Sequence, residues 1–121
     1  MILVAVDDFL FRSKIRTTGK QAGVELTFPR TPDEVLEQAR AMKPSLAIFD
    51  LNSAKMEPID TIARLKADPE LSSIHTLGFV SHVDAARIQA ARDVGADEVL
   101  ARSAFATQLA DILLSDRTSK S

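Results

Sequence analysis

Three aspartates are placed to share one piece of chemistry. Asp7 and Asp8 follow the apolar run at residues 2–6, and Asp50 follows Leu46-Ala47-Ile48-Phe49. If those runs are neighbouring strands of a parallel sheet, the carboxylates converge in the crevice outside the C-terminal strand ends, where open α/β sheets bind ligands. Like charges at short range raise one another's proton affinity, so the cluster calls for a cation. The chain has no cysteine, and neither of its two histidines is placed to help. The donors on offer are carboxylate, carbonyl and water oxygens, which suit Mg2+. Asp7 or Asp8 taken alone reads equally well as a helix N-cap; the three acids together favour the cation crevice.

Such a crevice needs parallel strands with helices between them, and the hydrophobic pattern supplies both. Short apolar runs predict strands at residues 2–6, 25–28, 46–49, 76–80 and 98–100. Apolar residues recur at helical spacing between them. They are Phe11, Ile15 and Ala22, then Val35, Leu36, Ala39 and Met42, then Ile59, Ile62, Ala63 and Leu65. Two further helices carry Ala85, Ile88, Ala91 and Val94, then Phe105, Leu109, Ile112 and Leu113. Five βα units imply an α/β domain with helices on both faces of a parallel sheet. Thr31-Pro32-Asp33-Glu34 has the form of a capping box. Gly23, Gly95 and Lys43-Pro44 fall where helices stop.

At 121 residues and 45% hydrophobic, the chain suits one core rather than two. Fifteen basic against 17 acidic residues leave no charge excess to draw it onto nucleic acid or an anionic membrane. The apolar start is too short for a signal peptide or a membrane span. The lack of cysteine fits a reducing compartment, so a cytoplasmic location is expected. Ser115-Asp116-Arg117-Thr118-Ser119-Lys120-Ser121 has no apolar periodicity and reads as a flexible polar tail or a linker stub.

Val6-Asp7-Asp8, Ala47-Ile48-Phe49-Asp50-Leu51-Asn52, Gly78-Phe79-Val80-Ser81 and Gly95-Ala96-Asp97-Glu98-Val99-Leu100-Ala101-Arg102 occur in this order. Together they resemble the receiver domain of two-component response regulators over nearly the whole chain. The resemblance implies a flavodoxin-like, doubly wound five-stranded sheet of order 2-1-3-4-5, with residues 1–114 as the domain and 115–121 as its tail. It implies that Asp50 accepts a phosphoryl group from a histidine kinase or histidine phosphotransfer protein. Asp8, Asp50 and the backbone carbonyl of Asn52 would hold Mg2+, with Asp7 completing the acidic pocket. Ser81 would donate its hydroxyl to a phosphoryl oxygen, and the fourth and fifth helical face would contact a downstream protein. The residue types suit this chemistry: a carboxylate can attack phosphorus while Mg2+ and a fixed cation offset the charge on the transferring group. Ser81-His82-Val83-Asp84 also has the form of a helix start with Ser81 as its cap.

Several positions depart from the family pattern. Arg102 stands where receivers carry a lysine; its planar fork can clamp Asp50 directly but cannot simply replace a compact ammonium. Ser103 replaces the usual proline, so a cis peptide is not expected there. Val99 replaces the aromatic residue whose rotamer reports activation. Ala54 lacks the usual proline, and Pro58 stands where glycine is typical, so the turn after Asp50 must close differently. His82, beside Ser81, reads better as an exposed histidine at a helix start than as a gate or pH sensor.

Two other readings compete with a phosphorylated module. One is a pseudo-receiver, a constitutive protein-interaction domain in which Arg102 is a permanent counter-ion. The other is an enzyme or cofactor binder on a similar fold. It is disfavoured because the chain lacks G-x-G-x-x-G, a P-loop and a cobalamin motif, and has no tyrosine or tryptophan to stack on a flavin. Direct nucleic-acid binding is not expected, since no basic stretch is interleaved with aromatics.

Overall fold

A computed structural model describes residues 1–81 and 84–115; His82 and the tail beyond Ser115 lie outside the described residues. In chain order the elements are β1 (Ile2–Ala5), α1 (Phe9–Ala22), β2 (Leu26–Thr27), α2 (Pro32–Met42), β3 (Leu46–Asp50) and α3 (Pro58–Ala67). Then follow β4 (His75–Val80), α4 (Ala85–Asp93), β5 (Glu98–Ala101), α5 (Arg102–Thr107) and α6 (Leu109–Leu114). The sheet is parallel throughout, with strand order β2-β1-β3-β4-β5. This is the doubly wound, flavodoxin-like order, and it makes β1 and β3 neighbours.

Strand alternation divides the core between the two faces. Ile2 and Val4 join Ile48, Leu77 and Phe79 beneath α1, α5 and α6, while Leu3 and Ala5 join Ala47 and Phe49 beneath α2 and α3. Leu3, Ile48, Phe49 and Phe79 are fully buried, each contributing about 1.5–3 kcal/mol of transfer free energy.

The helix starts follow the cap residues. Thr31 accepts from the Glu34 amide at 3.1 Å, and Glu34 reaches back to the Arg30 amide, one residue before the cap. Gly23 closes α1 at φ 73°, a left-handed conformation that glycine adopts without a Cβ clash.

Four expectations need correction. β2 is two residues long rather than four, pairing only Leu26 and Thr27 with β1. Met42 and Ala85 are exposed, because each lies at a helix terminus beyond the apolar face. The last helix is two helices broken at Gln108, which sits at φ −96° and ψ 6°. Just before the break, the Thr107 hydroxyl donates to the Ser103 carbonyl at 2.9 Å, a side-chain bond that bends helices. Finally, Ser81 does not cap α4; Asp84 does, accepting from the Arg87 amide at 3.0 Å.

Candidate functional site

β3 runs one residue further than its apolar run suggested, so Asp50 belongs to the strand and lies opposite Phe79 of β4. Only 7% of Asp50 is exposed. The next residue, Leu51, is fully buried and its amide donates to the Phe79 carbonyl at 2.9 Å. Leu51 seats over Gly78, where an added Cβ would lie 2.8 Å from its side chain. The missing side chain at Gly78 therefore lets the chain leave β3 while Asp50 is held in register.

Two hydrogen bonds shape the turn that follows. The Asn52 amide donates to Asp50 Oδ1 at 2.9 Å, and Asn52 Oδ1 accepts from the Ser81 amide at 2.7 Å. Arg87 of α4 donates to the Leu51 carbonyl at 2.9 Å and also contacts Asp84 at 3.3 Å. The end of β3 is thus bonded to both the end of β4 and α4. Arg87 and the Asn52 side chain escaped sequence reasoning, because no spacing announces a bond between a helix side chain and a loop carbonyl.

The turn closes through Glu57, which takes the left-handed conformation at φ 44° and ψ 57°. Pro58 is the first residue of α3, where it has no amide to satisfy. Positive φ has moved to the residue before the proline, which is how the turn closes without glycine at 58.

Asp8 is the N-cap of α1, accepting from the Phe11 amide at 3.0 Å, and Asp7 is exposed beside it. Arg102, the first residue of α5, directly follows β5 with no intervening loop. No peptide among the described residues is cis. The Arg102 guanidinium lies 4.4 Å from the centre of the Phe11 ring and donates to Asp8 Oδ2 at 3.3 Å. It therefore pairs with Asp8 and does not clamp Asp50. The Phe11 ring that orients it packs edge-on against Phe79 and Phe105, and those two rings stack 4.7 Å apart.

These placements set the electrostatics. Burial pushes the Asp50 carboxyl above its ordinary range; the Asn52 amide and the Arg102 charge oppose the rise, and Asp8 and Asp7 add to it. The Asp8 carboxyl is held low, first by the Phe11 amide, with burial opposing and Arg102 assisting. The three carboxylates expected to converge are close enough for Asp8 and Asp7 to act on Asp50. Among the described residues no three His, Cys, Asp or Glu side chains are arranged to hold a metal ion. Carboxylate and carbonyl oxygens are hard donors of the kind Mg2+ prefers.

The sequence at residues 2–114 matches the family described as response regulator receiver domain. The chain belongs to this family. Among solved structures, this receiver domain is similar to a response regulator from Hahella chejuensis, with TM-score 0.83 at 18% identity over 97% of this chain and 94% of that one. It is also similar to the Mn(2+)-bound form of response regulator Rcp1, with TM-score 0.80 at 16% identity over 98% and 96% of the two chains. The phosphorylated cyanobacterial phytochrome response regulator RcpA gives TM-score 0.72 at 23% identity over 93% and 87%. No curated protein matches the sequence. At these identities the structural likeness concerns the receiver fold. Among the described residues, no helix is long and apolar enough to cross a membrane.

Val99 packs partly buried against the core and lines an open cleft of about 570 Å³ between α4, β5 and α5, together with Ile88, Ala106 and Arg102. Among the described residues, no aromatic side chain lines this cleft.

Proposed function

We propose that this receiver domain is a cytoplasmic signalling module that accepts a phosphoryl group on Asp50 and passes the change to a protein bound at the α4, β5 and α5 face. The observation that carries the reading is Asp50 itself: a buried carboxylate on the last residue of the central strand, beside the Asp8 carboxylate and the Arg102 cation. A carboxylate is not buried at a strand end for stability, since burial disfavours its charged form.

In the transfer, an Asp50 oxygen attacks phosphorus as the phosphorus–nitrogen bond of a phosphohistidine breaks. The departing imidazole keeps the bonding electrons and takes up a proton. Asp8, Asp50 and the Asn52 carbonyl would hold Mg2+, whose chemistry there is to neutralise charge on the transferring group. Asp7 adds negative charge at the pocket rim, and the Ser81 hydroxyl is the donor assigned to a phosphoryl oxygen. Phe9 and Leu10, 73% and 77% exposed immediately after the acidic pair, supply an apolar surface for a histidine kinase or phosphotransfer protein. The Mn(2+)-bound and phosphorylated receivers of similar fold support the metal and the modification as chemistry this fold accommodates.

A crystal structure with Mg2+ and beryllofluoride tests the assignment. Beryllofluoride on Asp50, with metal density between Asp8, Asp50 and the Asn52 carbonyl, is the expected result. An Arg102–Asp8 pair that stays closed, with neither group bound, would instead establish the second reading. That reading is a pseudo-receiver working through protein contacts alone, and the ion pair is the observation in its favour.

A further inference from the structure

Away from the acidic pocket, α1 carries charge that its own stability does not explain. Residues 9–30, Arg30 included, hold five basic residues against one acidic, Glu25, in a chain whose totals are 15 basic and 17 acidic. Arg12, Arg16 and Lys20 recur every fourth residue and so form one row along the helix. Like charges at this spacing each cost an isolated helix a few tenths of a kcal/mol. Only Lys20, in the last turn, favours the helix dipole.

Among the described residues none of the three is in an ion pair, whereas Arg40, Arg64, Lys66, Arg87 and Arg102 each face a carboxylate. The row instead borders the free edge of the sheet. Arg16 and Arg12 lie 4.5 and 5.6 Å from the centre of the Phe28 ring. Gly19 lets α1 approach so closely that a Cβ there would lie 2.6 Å from Leu26. Arg16 and Lys20 thereby flank a cleft of about 290 Å³ floored by Val24, Leu26 and Phe28.

We infer that this row and its apolar cleft are a docking surface for an acidic peptide segment of a partner protein. The partner's carboxylates would recur about every 6 Å, the rise over four helical residues, with an apolar side chain between them. Arginine's planar fork pairs bidentately with carboxylate, and the low polarity of the apolar floor strengthens the attraction within each pair. A nucleic acid fits less well: the two guanidiniums cover the Phe28 face that a base would need, and the sugar–phosphate chain has nothing apolar for the cleft. The surface is separate from the phosphoacceptor reading and stands or falls without it.

The test uses the full chain and a fluorescein-labelled peptide of repeated Glu-Leu-Glu, with the Gln-Leu-Gln peptide and labelled oligothymidylate as comparisons. Fluorescence anisotropy should show saturable binding of the glutamate peptide that weakens with salt and falls at least tenfold in the Arg12→Gln/Arg16→Gln variant. Amide shifts should gather at Arg12, Arg16, Lys20, Leu26 and Phe28. A melting temperature matching the wild type verifies the variant's fold, and Lys20→Gln supplies an independent loss. Absence of saturable binding, equal binding of the glutamine peptide or by the variant, or tighter binding of oligothymidylate would overturn the inference.

Discussion

The guanidinium of Arg102 donates to Asp8, the N-cap of α1, at 3.3 Å, leaving the buried Asp50 without a direct cationic partner from β5 or α5. One carboxylate thus serves a helix cap, an ion pair and the proposed metal site. At the proposed metal site, Mg2+ would compete with Arg102 for Asp8, and the two like charges would repel.

Removing the competitor should therefore tighten metal binding. Arg102→Gln is expected to raise Mg2+ affinity about tenfold, corresponding to roughly 1.4 kcal/mol, as measured by calorimetric titration. Asp8→Asn and Asp50→Asn should each weaken it strongly. Unchanged affinity in the arginine variant would mean that the ion pair does not oppose the metal.

Asp50 should make stability fall with rising pH. Its folded pKa is raised, chiefly by burial, so the folded state binds this proton more tightly than the unfolded chain does. The stabilising contribution is present below the ordinary carboxylate value of about 3.9 and is lost as pH rises through the folded value. Asp50→Asn should accordingly be more stable than wild type at neutral pH. The expected gain is on the order of 1 kcal/mol, or about 4 °C in melting temperature, shrinking toward acid pH. Asp8 has the opposite sign: its lowered pKa stabilises above the unfolded value and the benefit is lost as pH falls. Melting curves of both variants across pH separate the two.

Glu57 offers a test of backbone strain. A side chain at φ 44° carries a left-handed penalty of about 1–2 kcal/mol, partly offset in any glycine variant by greater unfolded-state freedom. Glu57→Gly should raise stability by roughly 0.5–1 kcal/mol in denaturant unfolding. A loss would show that the Glu57 side chain does more than the geometry indicates.

Much of this was legible in the sequence because the signals were local. Apolar runs and the Thr31 cap located the elements, and the family resemblance carried by four motifs along the chain implied the strand order that the sheet has. Short edges and side-chain directions were less accessible. β2 is an edge strand held by two paired residues, so its limits follow from β1 and not from its own pattern. Arg102 pairs with Asp8 because the Phe11 ring orients the guanidinium, a contact spanning α1 and α5 that no linear spacing encodes.

Gly78 tests the packing beneath the site. A methyl group there would meet the buried Leu51 side chain at 2.8 Å, and Leu51 has no solvent to retreat into. Gly78→Ala should cost about 1–3 kcal/mol in unfolding measurements and displace the turn carrying Asn52. A neutral effect would show that the end of β3 can shift freely.

The central claim is that Asp50 accepts phosphate, and intact-mass spectrometry after incubation with acetyl phosphate and Mg2+ tests it most directly. The account predicts one added phosphoryl group, stable to acid, released by hydroxylamine and absent from Asp50→Asn. No adduct with acetyl phosphate or with any of several histidine kinases, or an adduct that persists in Asp50→Asn, would contradict it.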